Sequence, residues 1–396
     1  MEMPLRARRS NARAKIYPLE ERPPFECIAL LLQGGGALGA YQAGVYQALA
    51  EANLHPDWVA GISIGGINSA IIAGNSRGKR ADALRGFWEL ITTDPLGRWP
   101  IVDALYTHGD IARSVANQFR AGFAAAFGVR GFFSPRSVSP WLQPAGAQEA
   151  TSYYDTSAMK TTLERFVDFD RINSGETRFS VGAVNVATGN FVYFDNTTHT
   201  IGPEHVMASA ALPPGFPAIE IEGSYYWDGG VVSNTPLQWV LESEPRMDTL
   251  AFQVDLWSAR GPFPRSMAEV MTRQKEIQYS SRTRANSDRF RQYQKTRYAL
   301  SEFLEMVPDE LRKTPEYKLL RPIAERKVYN LVQLIYRSRQ YESGSKDYEF
   351  SRSSMEEHLR AGYNDTARTL RHPEVLQRPT SAEGIFTFDL AVNGRE

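Results

Sequence analysis

The sequence has a single cysteine, Cys27, and no net charge over its 396 residues. One thiol cannot form a disulfide within the chain, which excludes the disulfide-stapled class of small secreted domains. Lysine plus arginine number 45, and aspartate plus glutamate also number 45. Without an overall positive field there is no general attraction to polyanions, so we expect no nucleic-acid partner and only local membrane contact.

Long hydrophobic runs are also missing. The apolar run over residues 28–32 is too short to cross a bilayer, and the basic first residues are not followed by the apolar segment of a secretory signal. The sequence therefore predicts a cytoplasmic protein, with peripheral contact to the inner face of the membrane as an open alternative. Residues 1–24 are predicted to form a basic, disordered arm.

Two tight turns dominate residues 27–75. The first follows the apolar run, which has the length of a strand covered on both faces. It contains four glycines, Gly34, Gly35, Gly36 and Gly39. Apolar residues at helical spacing come next, so the glycine N–H groups are expected at the N-terminus of a helix. Partial positive charge collects there, which makes this turn a candidate anion site.

The same glycines leave two other interpretations open. Gly34, Gly36 and Gly39 have the GxGxxG spacing of dinucleotide-binding proteins. Such a site needs an acidic residue at the end of the second strand to bind the ribose, but the strand predicted over residues 58–62 runs directly into Ser63. This disfavours a nucleotide site. A purely structural glycine turn is the third interpretation.

The second turn, Gly61-Ile62-Ser63-Ile64-Gly65, has the GxSxG pattern of a nucleophile elbow. Small flanking residues permit a strained turn between a strand and a helix, which lifts the serine hydroxyl clear of the backbone. The pentapeptide alone is a weak signal, but an apolar strand pattern precedes it and an isoleucine-rich helical pattern follows it. The competing interpretation is a serine that only caps the helix.

A nucleophilic serine acting on an ester also needs donors for the oxyanion that develops on the carbonyl oxygen. The two turns follow adjacent strands of a predicted parallel sheet, so the glycine turn is expected beside the elbow. We therefore predict that the N–H groups of Gly34, Gly35 and Gly36 form the oxyanion hole. One such donor is typically worth about 3 kcal/mol.

The base that activates Ser63 is harder to identify. In hydrolases with this elbow the histidine of a conventional triad comes last in the chain, behind the acid. His358 falls in a predicted helix and His372 precedes a proline near the end of the chain, so neither fits. Asp195 follows a predicted strand and Asp255 ends one, and both are expected to be structural. The remaining histidines are His55, His108, His199 and His205.

Three ordered motifs, GGGALG, GISIG and Asp228-Gly229-Gly230, resemble those of the patatin-like phospholipase family of serine acyl hydrolases. The similarity extends through residues 208–236 and covers roughly residues 28–257. It implies that Ser63 is the nucleophile and Asp228 the general base of a Ser–Asp dyad without histidine. The glycines that it implies as support for the turns are Gly39, Gly61, Gly65, Gly229 and Gly230.

Two features qualify the resemblance. A carboxylate with a pKa of about 4 is a weak base for a hydroxyl, so a dyad requires that burial raise the pKa of Asp228. The sequence also departs from the family at Leu38, where a basic residue usually precedes the last glycine of the first motif. That change leaves the backbone donors intact, but an apolar leucine supplies no charge to help hold an anionic group.

The expected architecture is a three-layer α/β fold of the patatin type, with a mostly parallel central sheet and helices on both faces. We predict a catalytic domain over residues 25–260 and a helical C-terminal extension over 261–396, with a strand at 328–336 that joins the sheet. The basic helical region from Pro264 to about Met306 could dock on anionic lipid, but a solvated charged face over an apolar stripe is the favoured expectation. Residues 94–154, especially the Pro-rich apolar segment 128–147, are either a lid with an acyl-chain channel or a loop packed on the core.

The predicted function is hydrolysis of carboxyl esters of lipids, of the phospholipase A or lysophospholipase type, in lipid degradation. A thioesterase or a polyester (hydroxyacid) depolymerase would use the same attack on a different leaving group. A non-catalytic lipid-binding protein is the alternative from another class. No His/Cys/Asp cluster has the spacing of metal ligands, so no metal or other cofactor is expected. The substrate partner is a lipid or acyl ester, and the oligomeric state stays open.

Overall fold

The computed structural model describes residues 15–92, 109–280, 283–324, 326–339, 341–342, 344–380 and 384–390, with the backbone alone over 283–288. Most of the predicted arm and residues 94–108 of the predicted lid lie outside these ranges. The described strands are β1 Cys27–Leu32, β2 Trp58–Ile62, β3 Ser134–Pro135, β4 Tyr154–Asp155, β5 Arg178–Asn185, β6 Phe191–Asp195, β7 Ile219–Ile221, β8 Ser224–Asp228, β9 Thr249–Asp255, β10 Tyr329–Ile335 and β11 Ile385–Phe388.

Helices separate most of these strands. In chain order the described α-helices are α1 Ala40–Glu51, α2 Ile64–Ala73, α3 Arg80–Ile91, α4 Asp110–Phe127, α5 Ser157–Phe166, α6 Phe169–Asn173, α7 Pro203–Ser209, α8 Leu237–Glu242, α9 Met267–Tyr279, α10 Thr283–Glu305, α11 Pro315–Leu320 and α12 Arg352–Thr369. Short 3-10 turns occur at Gly36–Gly39 and Gly229–Val231, next to the first and third motifs.

One nine-stranded sheet, described in the order β11-β10-β9-β1-β2-β5-β8-β7 with β6 also on β5, forms the centre of the molecule. The six strands from β11 to β5 pair in parallel, and β6, β7 and β8 pair antiparallel. The predicted mostly parallel α/β architecture is confirmed. β3 and β4 form a separate two-stranded hairpin.

Both faces of the sheet are covered, which explains why β1 is apolar at every position. Ile28, Leu30 and Leu32 belong to a core with α1 and α2, whereas Cys27, Ala29 and Leu31 belong to a second core with α8. Successive residues of a strand point to opposite faces, so a strand between two helical layers needs apolar residues throughout. The absence of alternation in β1 follows from this position.

The C-terminal region joins this sheet directly. β10 pairs in parallel with β9, close to the predicted range 328–336, and β11, which the sequence reading missed, pairs with β10. α12 packs on α1 so closely that a Cβ atom on Gly44 would lie 1.9 Å from the carbonyl oxygen of Leu359. Such an approach allows only glycine at that position.

The expectation that the basic helical region covers an apolar stripe is wrong for α9. Met267, Val270 and Met271 are exposed, and α9 has no buried residue. Its charged residues face the body instead: Arg273 donates to the carbonyl oxygen of Ser258, and Lys275 pairs with Asp347. The body offers carbonyl and carboxylate oxygens to this helix, so the polar face of α9 turns inward.

The predicted lid segment has one part that is packed on the core and another part that is exposed. Phe132 and Phe133 are buried and contact the rings of Phe216 and Phe350, so the first part is packed on the core. The 3-10 turn Pro140–Leu142 is exposed, and Trp141 keeps 83% of its surface. Whether the exposed part moves as a lid stays a prediction.

Candidate active site

Ser63 lies in a strained turn between β2 and α2. Its φ of 57° is in the left-handed region, which L-residues other than glycine rarely adopt. The turn is tight because a Cβ atom on Gly61 would lie 2.2 Å from the carbonyl oxygen of Gly65. The backbone N–H of Ser63 is held by Ser209, whose carbonyl oxygen and Oγ lie 3.1 and 3.0 Å away. Ser63 is half-buried, unlike its buried neighbours Ile62 and Ile64.

The sheet register brings Asp228 to this turn. β2 pairs with β5 as far as Ile62 opposite Gly182, and β8 then pairs with the same edge of β5, with Asp228 opposite Ala183. The other edge carries β6. Asp228 therefore occupies the position along β5 that follows Ile62, at the point where the chain leaves the sheet at Ser63.

Asp228 is almost fully buried, with 1% of its surface exposed. Its carboxylate accepts a hydrogen bond from the N–H of Gly230 at 2.7 Å, and the nearby Ser63 side chain also favours its charged form. Burial raises the pKa of Asp228 to about 7, because removal from water disfavours the charged form more than Ser63 and the Gly230 N–H favour it. Near neutral pH, then, the carboxyl group can either take up or give up a proton.

The glycine turn lies against the serine. A Cβ atom on Gly34 would be 2.9 Å from Cβ of Ser63, so the backbone of Gly34 is in direct contact with the elbow. The N–H of Gly34 points to the carbonyl oxygen of Asn234 at 3.4 Å. Within the described part of the chain, the N–H groups of Gly35 and Gly36 have no hydrogen-bond acceptor, and both residues are half-buried. Gly36 has a φ of 54°.

This glycine turn is held by side chains that were not predicted from the sequence. The carbonyl oxygen of Gly34 accepts from Nε1 of Trp257 at 2.9 Å and from Nδ2 of Asn234 at 3.1 Å. Asn234 lies just beyond the third motif, and Trp257 follows the end of β9. In the sequence, the only feature that could have indicated these two residues is that each is a hydrogen-bond donor a few residues after a motif or a buried strand.

Gln33, between β1 and the glycines, is fully buried and connects four segments. Its Oε1 accepts from the N–H groups of Leu256 and Trp257 at 2.6 and 3.0 Å. Its Nε2 donates to Oγ1 of Thr235 and to the carbonyl oxygen of Tyr279, each at 3.1 Å. A buried amide with all these partners is satisfied and fixes the entry to the turn.

The other acidic candidates have structural partners. Asp195 accepts from Oγ of Ser180 at 2.6 Å and pairs with Arg178 at the beginning of β5. The pKa of Asp195 is lowered by its hydrogen bonds and by Arg178, against the effect of burial. Asp255 accepts from Nε2 of Gln253 at 2.9 and 2.8 Å. Neither contact involves Ser63.

The histidines that lie within the described ranges are not hydrogen-bonded to Ser63 or Asp228. His205 accepts from the N–H of Gly202 at 3.0 Å, and His358 lies within α12, 3.7 Å from Glu342. His199 and His372 contact neighbouring polar side chains at the surface. His108 lies outside the described residues. These contacts give no support to a conventional triad.

The geometry also bears on the dinucleotide interpretation. Asp57 lies before β2, where it pairs with Arg22 and accepts from the N–H of Ile28 at 2.8 Å. The carboxyl end of β2, where a ribose-binding acid would lie, carries Ser63. Leu38 is fully buried in the main core, so a side chain at this position points away from solvent.

The described residues provide neither a metal site nor a membrane-spanning helix. No group of three or more His, Cys, Asp or Glu side chains in these ranges is placed to hold a metal ion. No helix among them is both long enough and apolar enough to span a membrane.

The fold and the site define a class: an α/β protein whose strand-to-helix serine contacts a buried carboxyl group beside a glycine turn. A family model described as patatin-like phospholipase matches residues 30–240, and a second model described as patatin phospholipase matches residues 277–382. The chain belongs to the patatin-like phospholipase family.

Similar curated proteins match over a short part of the chain. An uncharacterized NTE family protein of Mycobacterium tuberculosis is 36% identical over 117 residues, which is 29% of this chain and 20% of that protein. Triacylglycerol lipase SDP1L of Arabidopsis thaliana is 35% identical over 72 residues, which is 18% of this chain and 9% of that protein. The chain thus spans a fifth or less of the length of these relatives.

Among solved structures, VipD from Legionella pneumophila matches with 15% identity and a TM-score of 0.39, over 93% of this chain and 72% of that one. At that TM-score the likeness supports no conclusion about function.

Proposed function

We propose that the protein is a serine acyl hydrolase that cleaves carboxyl esters of lipids, of the phospholipase A or lysophospholipase type, in lipid degradation. The observation that carries the proposal is that the sheet register places the strained Ser63 turn beside the buried carboxyl group of Asp228. Membership of the patatin-like phospholipase family supports the substrate class. The lipase named among the relatives acts on a lipid ester, which agrees with it.

In the first half of the reaction Ser63 is the nucleophile and Asp228 the base. Oγ of Ser63 forms a bond to the ester carbonyl carbon while its proton passes to the carboxylate of Asp228. The negative charge that develops on the carbonyl oxygen is stabilised by backbone N–H groups of the glycine turn. Gly35 and Gly36 are the favoured donors because the N–H of Gly34 already faces the carbonyl oxygen of Asn234.

The second half returns the site to its starting state. As the carbon–oxygen bond to the alcohol breaks, the leaving oxygen takes the proton from Asp228. Water then attacks the acyl-serine while its proton passes to Asp228. As the bond between the acyl carbon and Oγ breaks, Asp228 gives this proton to Oγ, which restores the Ser63 hydroxyl and releases the fatty acid. A pKa of about 7 suits both steps, because a group that must accept and donate a proton works best when its pKa is near the working pH.

The test uses Ser63→Ala and Asp228→Asn, assayed on a water-soluble short-chain ester and on a panel of phospholipid, lysophospholipid, acyl-CoA and hydroxyacid oligomers. We expect each variant to lose at least a thousandfold in kcat on every ester that the wild type cleaves. The ranking of wild-type kcat/KM across the panel distinguishes a lipase from a thioesterase or a depolymerase.

His205→Asn is the matched control, because asparagine can still accept from the N–H of Gly202, and kcat should stay within about twofold of wild type. A histidine variant as inactive as Ser63→Ala would contradict the dyad. Wild-type Ser63 that does not react with a fluorophosphonate would point to a lipid-binding protein without catalysis.

A further inference from the structure

The C-terminal region lies directly against the glycine turn. The carbonyl oxygen of Asp347 accepts from the N–H of Ala37, the residue after Gly36, at 2.7 Å. A Cβ atom on Gly36 would be 2.1 Å from that same oxygen, so the two backbones are in contact. This close approach requires glycine at position 36. The end of the glycine turn is therefore held by the segment around Asp347, which is far away in the chain.

An ion pair fixes Asp347 in this position. Nζ of Lys275, on α9, lies 2.6 Å from the carboxylate of Asp347, and the two side chains keep 28% and 19% of their surface. Both are therefore largely shielded, and a charge pair in such surroundings is less screened by water than one on the surface. The ion pair connects α9 to the segment that touches the turn.

A second contact from the same helix reaches the turn by another route. The carbonyl oxygen of Tyr279, the last residue of α9, accepts from Nδ2 of Asn234 at 2.9 Å and from Nε2 of Gln33 at 3.1 Å. Asn234 also donates to the carbonyl oxygen of Gly34, and Gln33 is the residue directly before Gly34. α9 therefore contacts both ends of the glycine turn, at Gln33 and Asn234 through its backbone and at Ala37 through Lys275 and Asp347.

We propose that Lys275 and Asp347 are positioning residues for the oxyanion hole: their ion pair holds the Asp347 carbonyl oxygen against Ala37 and so aims the preceding glycine N–H groups at the carbonyl oxygen of the substrate. This inference rests on the proposed function. It makes the C-terminal region part of the catalytic apparatus, although neither residue touches the substrate. A donor displaced by about 1 Å can cost about a hundredfold in rate, so a contact of this kind matters to kcat.

Another ion pair in the chain provides a matched control. Nζ of Lys327 lies 2.6 Å from Oε2 of Glu26, with 29% and 49% of the side chains exposed. Glu26 precedes β1, and Lys327 precedes β10, so this pair lies at the amino ends of these parallel strands. The glycine turn follows their carboxyl ends. Lys327→Met thus removes a similar pair without touching the turn.

The experiment compares Lys275→Met, Lys275→Arg, the double variant Lys275→Met with Asp347→Asn, and Lys327→Met. On a soluble short-chain ester we expect Lys275→Met and the double variant to lower kcat about tenfold or more, with KM within about twofold. The double variant leaves no unpaired carboxylate, so it keeps the test valid if Lys275→Met folds poorly. Lys275→Arg should recover most of kcat, and Lys327→Met should retain it.

A second readout does not depend on catalysis. Hydrogen exchange at the peptide covering residues 33–40 should be faster in Lys275→Met and in the double variant than in wild type, and unchanged in Lys327→Met. Equal kcat in Lys275→Met, the double variant and wild type, with unchanged exchange, would overturn the proposal. So would a loss in kcat matched by Lys327→Met. An inactive wild type, or an active Ser63→Ala, would instead refute the proposed function while the exchange result still tests the contact.

Discussion

The two turns that follow β1 and β2 lie side by side, but they are held in different ways. The elbow around Ser63 is fixed mainly by close backbone packing, since the glycines on both sides of the serine have no room for a Cβ atom, and Ser209 holds its N–H. The glycine turn is fixed by distant groups: Trp257 and Asn234 at Gly34, and Asp347 at Ala37.

This difference separates two ways of building a reactive site. A nucleophile needs one strained residue, and a few neighbouring residues are enough to impose that strain. An oxyanion hole needs backbone donors aimed at a point in space, which requires contacts from several directions. Both turns should be sensitive to added Cβ atoms, but the glycine turn should respond more strongly to the loss of remote side chains.

The largest effect is expected from Gly65→Ala. A Cβ atom there would lie 2.2 Å from the carbonyl oxygen of Leu32, a backbone atom that cannot move without distorting β1. We expect a loss of more than about 4 kcal/mol in the free energy of unfolding, seen as little or no folded protein. In Gly34→Ala the nearest atoms are Oδ1 of the Asn234 side chain at 2.4 Å, which can rotate, and Cβ of Ser63 at 2.9 Å, so this variant should lose less stability and still fold. Equal stability of the two variants in denaturant unfolding would remove the distinction between the turns.

Asp228→Asn should have the next largest effect, and it should stabilise the protein at high pH. The pKa of Asp228 is about 7 in the fold against an ordinary value of 3.8, so between these values the folded state binds more protons and stability falls as pH rises. Above about pH 7 the wild type carries the whole penalty, up to about 4 kcal/mol, which asparagine avoids.

The measurement is the melting temperature of both proteins from pH 4 to pH 8. We expect the variant to be the more stable protein at pH 8, and its advantage to fall steadily toward pH 4. If the difference in melting temperature between the variant and the wild type did not change with pH, the pKa of Asp228 would not be raised by burial. Asp228 would then lack the raised pKa on which the proposed proton transfer from Ser63 depends.

The smallest of the three effects is expected from Trp257→Phe. It removes one hydrogen bond to the carbonyl oxygen of Gly34, which Asn234 still contacts, so we expect a loss of about 1 kcal/mol in stability and a fall of several-fold in kcat. Trp239→Phe is the control, because its Nε1 donates to Oγ of Ser180 at 3.2 Å, away from the glycine turn. It should lose similar stability and keep kcat. A loss of kcat in both would mean that the glycine turn responds to general stability and not to its own support.

Much of the fold was accessible from the sequence because its signals are local. The unbroken apolar pattern of β1 predicts a strand buried on both faces, and the observed cores on either side agree. The prediction that α9 buries an apolar stripe was wrong because the outcome depends on distant groups. Its sequence shows that apolar and charged residues segregate, but not that Asp347 and the Ser258 carbonyl oxygen would attract the charged face.

The sequence by itself determined where a strained serine could form and which glycines surround it, because backbone sterics act between residues that are close in the chain. The sheet register decided that Asp228 meets Ser63, since β8 takes the edge of β5 that β2 leaves after Ile62. Tertiary structure also decided that Gln33, Asn234, Trp257 and Asp347 hold the glycine turn. Hydrogen bonds of this kind depend on distances between segments, which no local pattern in the sequence encodes.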